Sequence, residues 1–138
     1  MNHQIEYTDF HLDLTLEVFK DDISYPTNTL MTIYVKSGFY TGHATMDINI
    51  KEFKKFIINL QKIYETLNGE AIIKETYGYQ MYLSFEGDGL GHINIKGLLV
   101  NGDMNGNIQR LEFENNIDQT VLRKFINDLK QDINQYLL

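Results

Sequence analysis

The sequence predicts an α+β fold: an antiparallel sheet of about six to seven strands, covered on one face by two amphipathic helices. Two observations carry this prediction. Several segments alternate apolar and polar residues with the period of two that a half-buried strand requires. Two others, Phe53-Lys54-Lys55-Phe56-Ile57-Ile58-Asn59-Leu60 and Leu122-Arg123-Lys124-Phe125-Ile126-Asn127-Asp128-Leu129, repeat apolar residues every three to four positions, which is helical spacing. These two stretches begin at positions 53 and 122, so they lie 69 apart, half of the 138-residue chain. At the same offset Ile48-Asn49 falls on Ile117-Asp118, and residues 10–17 fall on residues 79–86. The pattern points to an internal duplication, strands then a helix, twice, with halves of about 1–69 and 70–138 in a single domain of 1–138.

In residues 10–19, Phe10, Leu12, Leu14, Leu16 and Val18 share one face, and His11, Asp13, Thr15 and Glu17 share the other. Residues 21–29 hold the single proline, Pro26, and read as a connection. Residues 30–36, with Met31, Ile33 and Val35 inward, turn at Ser37-Gly38 into residues 39–48, with Tyr40, Gly42, Ala44, Met46 and Ile48 on one side. Asn49 is suited to cap the first helix, with Glu52 reaching back to complete a capping box. The buried stripe runs Ile50, Phe53, Phe56, Ile57, Leu60, Tyr64 and Leu67, and Gly69 supplies a left-handed stop. Residues 71–75 form a short strand without a counterpart in the first half. Residues 79–86 place Met81, Leu83 and Phe85 inward, and Gly87-Asp88-Gly89 is a turn signal. Residues 91–100 place Ile93, Ile95, Gly97 and Leu99 inward; 101–107 read as an exposed loop, and 108–114 as the last strand with Leu111 and Phe113 inward. Asp118 caps a final helix with the stripe Leu122, Phe125, Ile126, Leu129, Ile133 and Tyr136.

Composition narrows the function. A chain with 43% hydrophobic and 12% aromatic residues can bury a core without disulfide or metal support. There is no cysteine, which excludes thiolate metal sites and cysteine nucleophiles and fits a reducing compartment. No apolar run reaches the length of a membrane span, and the first residues lack the basic and apolar regions of a signal peptide. The expectation is a cytoplasmic protein that binds neither membrane nor nucleic acid. The formal net charge of −7, with a pI near 4.9, is the opposite of what phosphate contacts need and suits a basic protein partner.

No catalytic motif stands out. Ser24, Ser37 and Ser84 lie outside any nucleophile-elbow context. Glu86, Glu112 and Glu114 have the spacing of a solvated sheet face. Gly87-Asp88-Gly89-Leu90-Gly91 precedes neither a helix nor a Gly-Lys-Ser/Thr step, so it is not a phosphate loop. His43 and His92 are the weak candidates for a metal site, with Asp47 or Asp13, should their strands be neighbours; no metal and no cofactor is expected. The remaining feature is the polar sheet face left uncovered. From it, Asp13, Glu17, Tyr34, Asp47, Tyr82, Glu86, Arg110 and Glu112 are the expected partner contacts, because tyrosines with charged neighbours suit protein interfaces. The alternatives are a small metal-dependent hydrolase built on the histidines and a homodimer paired through the open faces.

The order of signals resembles the WapI-like family of small bacterial immunity proteins. The resemblance rests on Gly38-Phe39-Tyr40-Thr41-Gly42-His43-Ala44, on Leu67-Asn68-Gly69-Glu70-Ala71 after the first helix, on Gly91-His92-Ile93-Asn94-Ile95-Lys96-Gly97, and on Leu111-Glu112-Phe113 followed by Asp118-Gln119-Thr120-Val121-Leu122. It implies a cytoplasmic, non-enzymatic binding protein that blocks a toxin, often a nuclease. An acidic face fits that role because a nuclease cleft is basic.

Overall fold

In the computed structural model, which describes residues 2–136, the elements are β1 (Asn2–Tyr7), β2 (Phe10–Val18), β3 (Thr29–Ser37), β4 (Tyr40–Ile48), α1 (Ile50–Thr66), β5 (Asn68–Lys74), β6 (Tyr82–Asp88), β7 (His92–Gly102), β8 (Ile108–Asp118) and α2 (Leu122–Asn134). The strands form two antiparallel sheets in the orders β1-β2-β3-β4 and β5-β6-β7-β8. The class is α+β as expected, but there are eight strands in two sheets, not six to seven in one. The strand hidden from the sequence is β1. Its inward positions are His3 and Ile5, each 1% exposed, and a polar residue at one of them conceals the alternation. β1 is also the missing counterpart of β5.

The register makes the correspondence residue by residue. Leu14 faces Ile33, which faces Ala44; Leu83 faces Gly97, which faces Phe113. Leu14 to Leu83 and Ala44 to Phe113 are both steps of 69, but Ile33 to Gly97 is a step of 64. The second half therefore has a shorter β6–β7 connection than β2–β3, and a longer β7–β8 hairpin than the Gly38-Phe39 turn of β3–β4. On the edge strand, His3 faces Leu14 and Ile73 faces Leu83, so β1 maps onto β5 with a step of 70.

Equivalent positions also touch. Gln61 and Lys130, 69 apart, bond across the α1–α2 contact at 2.8 Å. Gly42 lies against its equivalent, Leu111: a Cβ on Gly42 would stand 2.7 Å from Leu111 Cδ2. Contact between positions at the repeat offset is what a two-fold relation between the halves would produce. The helices obey it by exchange, since α1 packs chiefly on β5 and α2 on β1. The inward residues of both sheets and the stripes of both helices join in one core. Phe85 sits at its centre, with ring centroids 5.8 Å from Phe56 and 6.2 Å from Phe125.

Local chemistry explains the helix ends. Asn49 Oδ1 accepts the Lys51 N–H at 2.8 Å, as an N-cap should. Glu52 does not complete a capping box; it pairs with Lys55 at 3.3 Å. The left-handed C-cap of α1 is Leu67 (φ 65°) rather than Gly69, because the chain enters β5 directly after the helix. Asp118 caps a short 3-10 turn (Gln119–Val121) that leads into α2. The stripe of α1 includes buried Ile63, and that of α2 includes Asp132.

Where the halves differ inside, they differ in compensated pairs. Ile33 with Ala44 in the first sheet becomes Gly97 with Phe113 in the second. A Cβ on Gly97 would lie 2.3 Å from Phe113 Cζ, so the ring occupies the space a side chain would need. Similarly, buried His3 bonds Asp132 Oδ2 at 2.7 Å, whereas the equivalent Ile73 and Ile63 are apolar and buried.

Two predictions follow from this pairing. Gly97→Ile is expected to lose about 3 kcal/mol through overpacking, and Gly97→Ile with Phe113→Ala to recover more than half of it, as read from urea denaturation; a strictly additive double mutant would refute the compensation. Asp132→Ala is expected to cost about 3 kcal/mol by leaving His3 buried without a partner. Replacing both His3 and Asp132 by Ile should restore stability to near the parent value in the same assay.

Candidate partner interface

Strand alternation turns polar residues away from the core on both sheets. The single open face expected from the sequence is therefore two faces. Asp13, Glu17, Tyr34 and Asp47 stand on the first sheet, and Tyr82, Glu86, Arg110 and Glu112 on the second. Four of the eight form two equivalent pairs, Asp13 with Tyr82 and Glu17 with Glu86. Across the first sheet, one row reads Gln4, Asp13, Tyr34, His43. Its equivalent in the second reads Lys74, Tyr82, Leu98, Glu112. Glu17 and Glu86 are likewise equivalent, 69 positions apart.

The two faces differ in their cations. The outward residues of the first sheet include Glu6, Asp13, Glu17 and Asp47 against one lysine, Lys36. Those of the second include Glu70, Glu86, Asp88, Glu112, Glu114 and Asp118 against Lys74, Lys96 and Arg110. The net charge of the two faces is thus the same, but the first sheet carries a single cation among its carboxylates and the second carries three. Glu17 and Asp47 flank Leu30 in one row, and both carboxylates are exposed.

The first sheet also carries a built cluster that the sequence did not reveal. His11 lies between two carboxylates: Nδ1 is 2.5 Å from Glu6 Oε1, and Nε2 is 2.9 Å from Asp13 Oδ2. Tyr34 meets the imidazole edge-on, with ring centroids 6.0 Å apart. Hydrogen bonding to Asp13 raises the His11 pKa above its ordinary value, with Glu6 adding to the effect and burial opposing it. Glu6 belongs to β1, so the cluster becomes visible only once that strand is placed.

The histidines considered for a metal do not meet. His43 is exposed on β4, and its carbonyl accepts a hydrogen bond from the Asn101 side chain of β7. His92 begins β7, nine residues before Asn101, which is roughly 30 Å along an extended strand. His92 instead bonds Asp88 at 3.0 Å through Nδ1. The Asp88 carboxyl is held below its usual range, first by the Leu90 N–H and then by His92. Among the described residues, no group of three or more His, Cys, Asp or Glu side chains could hold a metal ion.

On the second sheet, Tyr82 and Arg110 line one groove of about 660 Å³ together with Ile72, Lys74, Tyr79 and Leu98. The sequence offered Tyr82 and Arg110 as contacts; it did not show that the 75–81 loop closes beside them. Among the described residues, no helix is long and apolar enough to cross a membrane.

A family model described as the immunity protein WapI-like family matches residues 5–137. No curated protein and no solved structure matches the chain.

The His11 cluster generates a pH prediction. Because its pKa is raised in the folded state, the stability it contributes is fully present below the ordinary value of 6.5 and is lost as the pH climbs through the folded value. The denaturation midpoint of the parent should therefore fall relative to His11→Gln as the pH rises from about 6 to about 8.5. A difference between the two proteins that stays flat across that window would refute the linkage.

Proposed function

We propose that this chain, which belongs to the WapI-like immunity protein family, is a non-enzymatic binding protein that neutralises a toxin domain through the acidic outer face of its first sheet. The observation that carries the choice of face is the scarcity of cations on it, since a cation repels a basic partner. One lysine stands among four carboxylates there, against three cations among six on the second sheet, and the strand backbones are held by pairing, on both sides for β2 and β3 and on one side for β1 and β4. Side chains held on strands lose little freedom when a partner docks, which lowers the cost of association.

A basic toxin surface, such as the cleft of a nuclease, would be drawn to this face by long-range attraction and occupied by it in place of its substrate. Tyr34 supplies a rigid contact with a polar tip in the middle of the carboxylates. His11 fixes Asp13 and Glu6, so the central part of the acidic surface is preorganised. Inhibition by occlusion requires no bond to be made or broken, and the cytoplasm, where the toxin would act, is the compartment in which the protein works.

The test uses the full chain and the toxin domain that it protects cells against, with affinity measured by calorimetry across a salt series. Glu17→Lys with Asp47→Lys is expected to weaken binding by about tenfold or more and to flatten the salt dependence, while the thermal midpoint stays within a degree or two. Equal affinity for parent and variant at every salt concentration would exclude the first sheet as the contact face.

A further inference from the structure

A groove of about 660 Å³ on the second sheet has the opposite character from the acidic face. It lies at the end of the second sheet where the 75–81 loop joins β5 to β6. Its lining includes Ile72 and Leu98, two aliphatic residues that face away from the core on the second sheet. Tyr79 and Tyr82 stand beside them, and Lys74 and Arg110 provide two exposed cations. Among the described residues neither cation forms an ion pair, whereas Lys96 on the same face is paired with Glu114 at 3.6 Å.

The one carboxylate in the groove is already engaged. Glu75 Oε1 accepts the Tyr79 N–H at 2.8 Å, and it rests against Gly78, where a Cβ would come within 2.8 Å of that oxygen. The Glu75 N–H donates to the Met81 carbonyl at 2.8 Å. Gly78 (φ 116°) and Gln80 (φ 63°) both take left-handed backbone conformations between these ties. The loop that carries Tyr79 is thus closed on itself, and the groove beside it is preformed.

The fold does not require these cations. Their equivalents in the first half are Gln4 and Thr41, and those of Tyr82 and Leu98 are Asp13 and Tyr34. The scaffold is the same, and the chemistry on it differs. A guanidinium and an ammonium beside tyrosines and aliphatic side chains recognise a carboxylate that is carried next to an apolar group. The groove is open to solvent along its length, which admits a stretch of polypeptide.

We infer that this groove is a second contact site, taking a segment of the toxin domain that presents an acidic side chain beside an aromatic or aliphatic one. The inference rests on the toxin-binding reading above and adds a site of opposite charge to it. Such an arrangement fixes the orientation of the partner, because a partner turned end for end would set like charges together at both sites.

The experiment measures binding of the same toxin domain to the full chain carrying Lys74→Glu with Arg110→Glu, with the thermal midpoint as a control for folding. The expected result is a loss of roughly 30-fold or more in affinity at an unchanged midpoint. A lysine replacing one acidic residue of the toxin should then restore binding to Arg110→Glu while weakening binding to the parent. Binding of the double variant within about threefold of the parent, or a complete survey of toxin carboxylates without such a rescue, would overturn the groove and leave the acidic face standing. Failure of the parent itself to bind or to protect would overturn the toxin-binding reading, and the groove with it.

Discussion

Neither half of this protein can close its own core. A four-stranded meander offers one apolar face, and a single helix is the only cover each half possesses. Yet α1 lies chiefly on β5 and α2 on β1, so each helix serves the strand at the far edge of the other half. The exchange brings the two sheets and two helices around Phe85, whose ring sits between the equivalent rings of Phe56 and Phe125. Everything outward depends on this arrangement. With both inner faces committed to one core, both outer faces are released to solvent, and the molecule gains two surfaces built on one plan.

The shared plan explains what the sequence disclosed and what it hid. The two helices were legible because their stripes repeat every three to four residues, and the inward faces of β2, β4, β6 and β8 because their alternation survives at a constant offset of 69. β3 and β7 follow a different offset, since a short connection before β7 is balanced by a long hairpin after it. A search for a fixed repeat passes over such a pair. β1 was hidden because its core position is filled by His3 instead of an aliphatic residue, and with β1 hidden the His11 cluster and the division into two sheets could not be read. The C-cap of α1 was misplaced for another reason. A glycine two residues away suggested the left-handed turn, but the direct entry into β5 places that conformation on Leu67.

The candidate contacts were legible as outward residues and not as a surface. Alternation gives the face of a side chain; it does not say which sheet that face belongs to. Two rows proposed as one surface, Asp13 with Tyr34 and Tyr82 with Glu112, are equivalent places on separate sheets. Their chemistry has diverged in the way that surface positions allow: Gln4 and Lys74, Asp13 and Tyr82, Tyr34 and Leu98, His43 and Glu112. Apart from Leu98, which packs against the edge of the core, none of these side chains reaches it. The difference in cations between the sheets is therefore free of the fold and available to a partner.

Interior differences carry a different meaning, because the core demands that they come in pairs. The buried His3–Asp132 bond is the most consequential, since it stands where the other half has Ile73 and Ile63. A two-fold scaffold admits a second way to seat its helices, with α1 on β1 and α2 on β5. In that arrangement His3 would meet the apolar Ile63, and Asp132 would meet Ile73. Both polar groups would be buried without partners, and an unsatisfied buried group is costly in a way that an aliphatic mismatch is not. The bond thus contributes less to the stability of the observed fold than to the penalty against its alternative. One polar pair, placed in one half only, distinguishes the two helices that the repeated sequence makes alike.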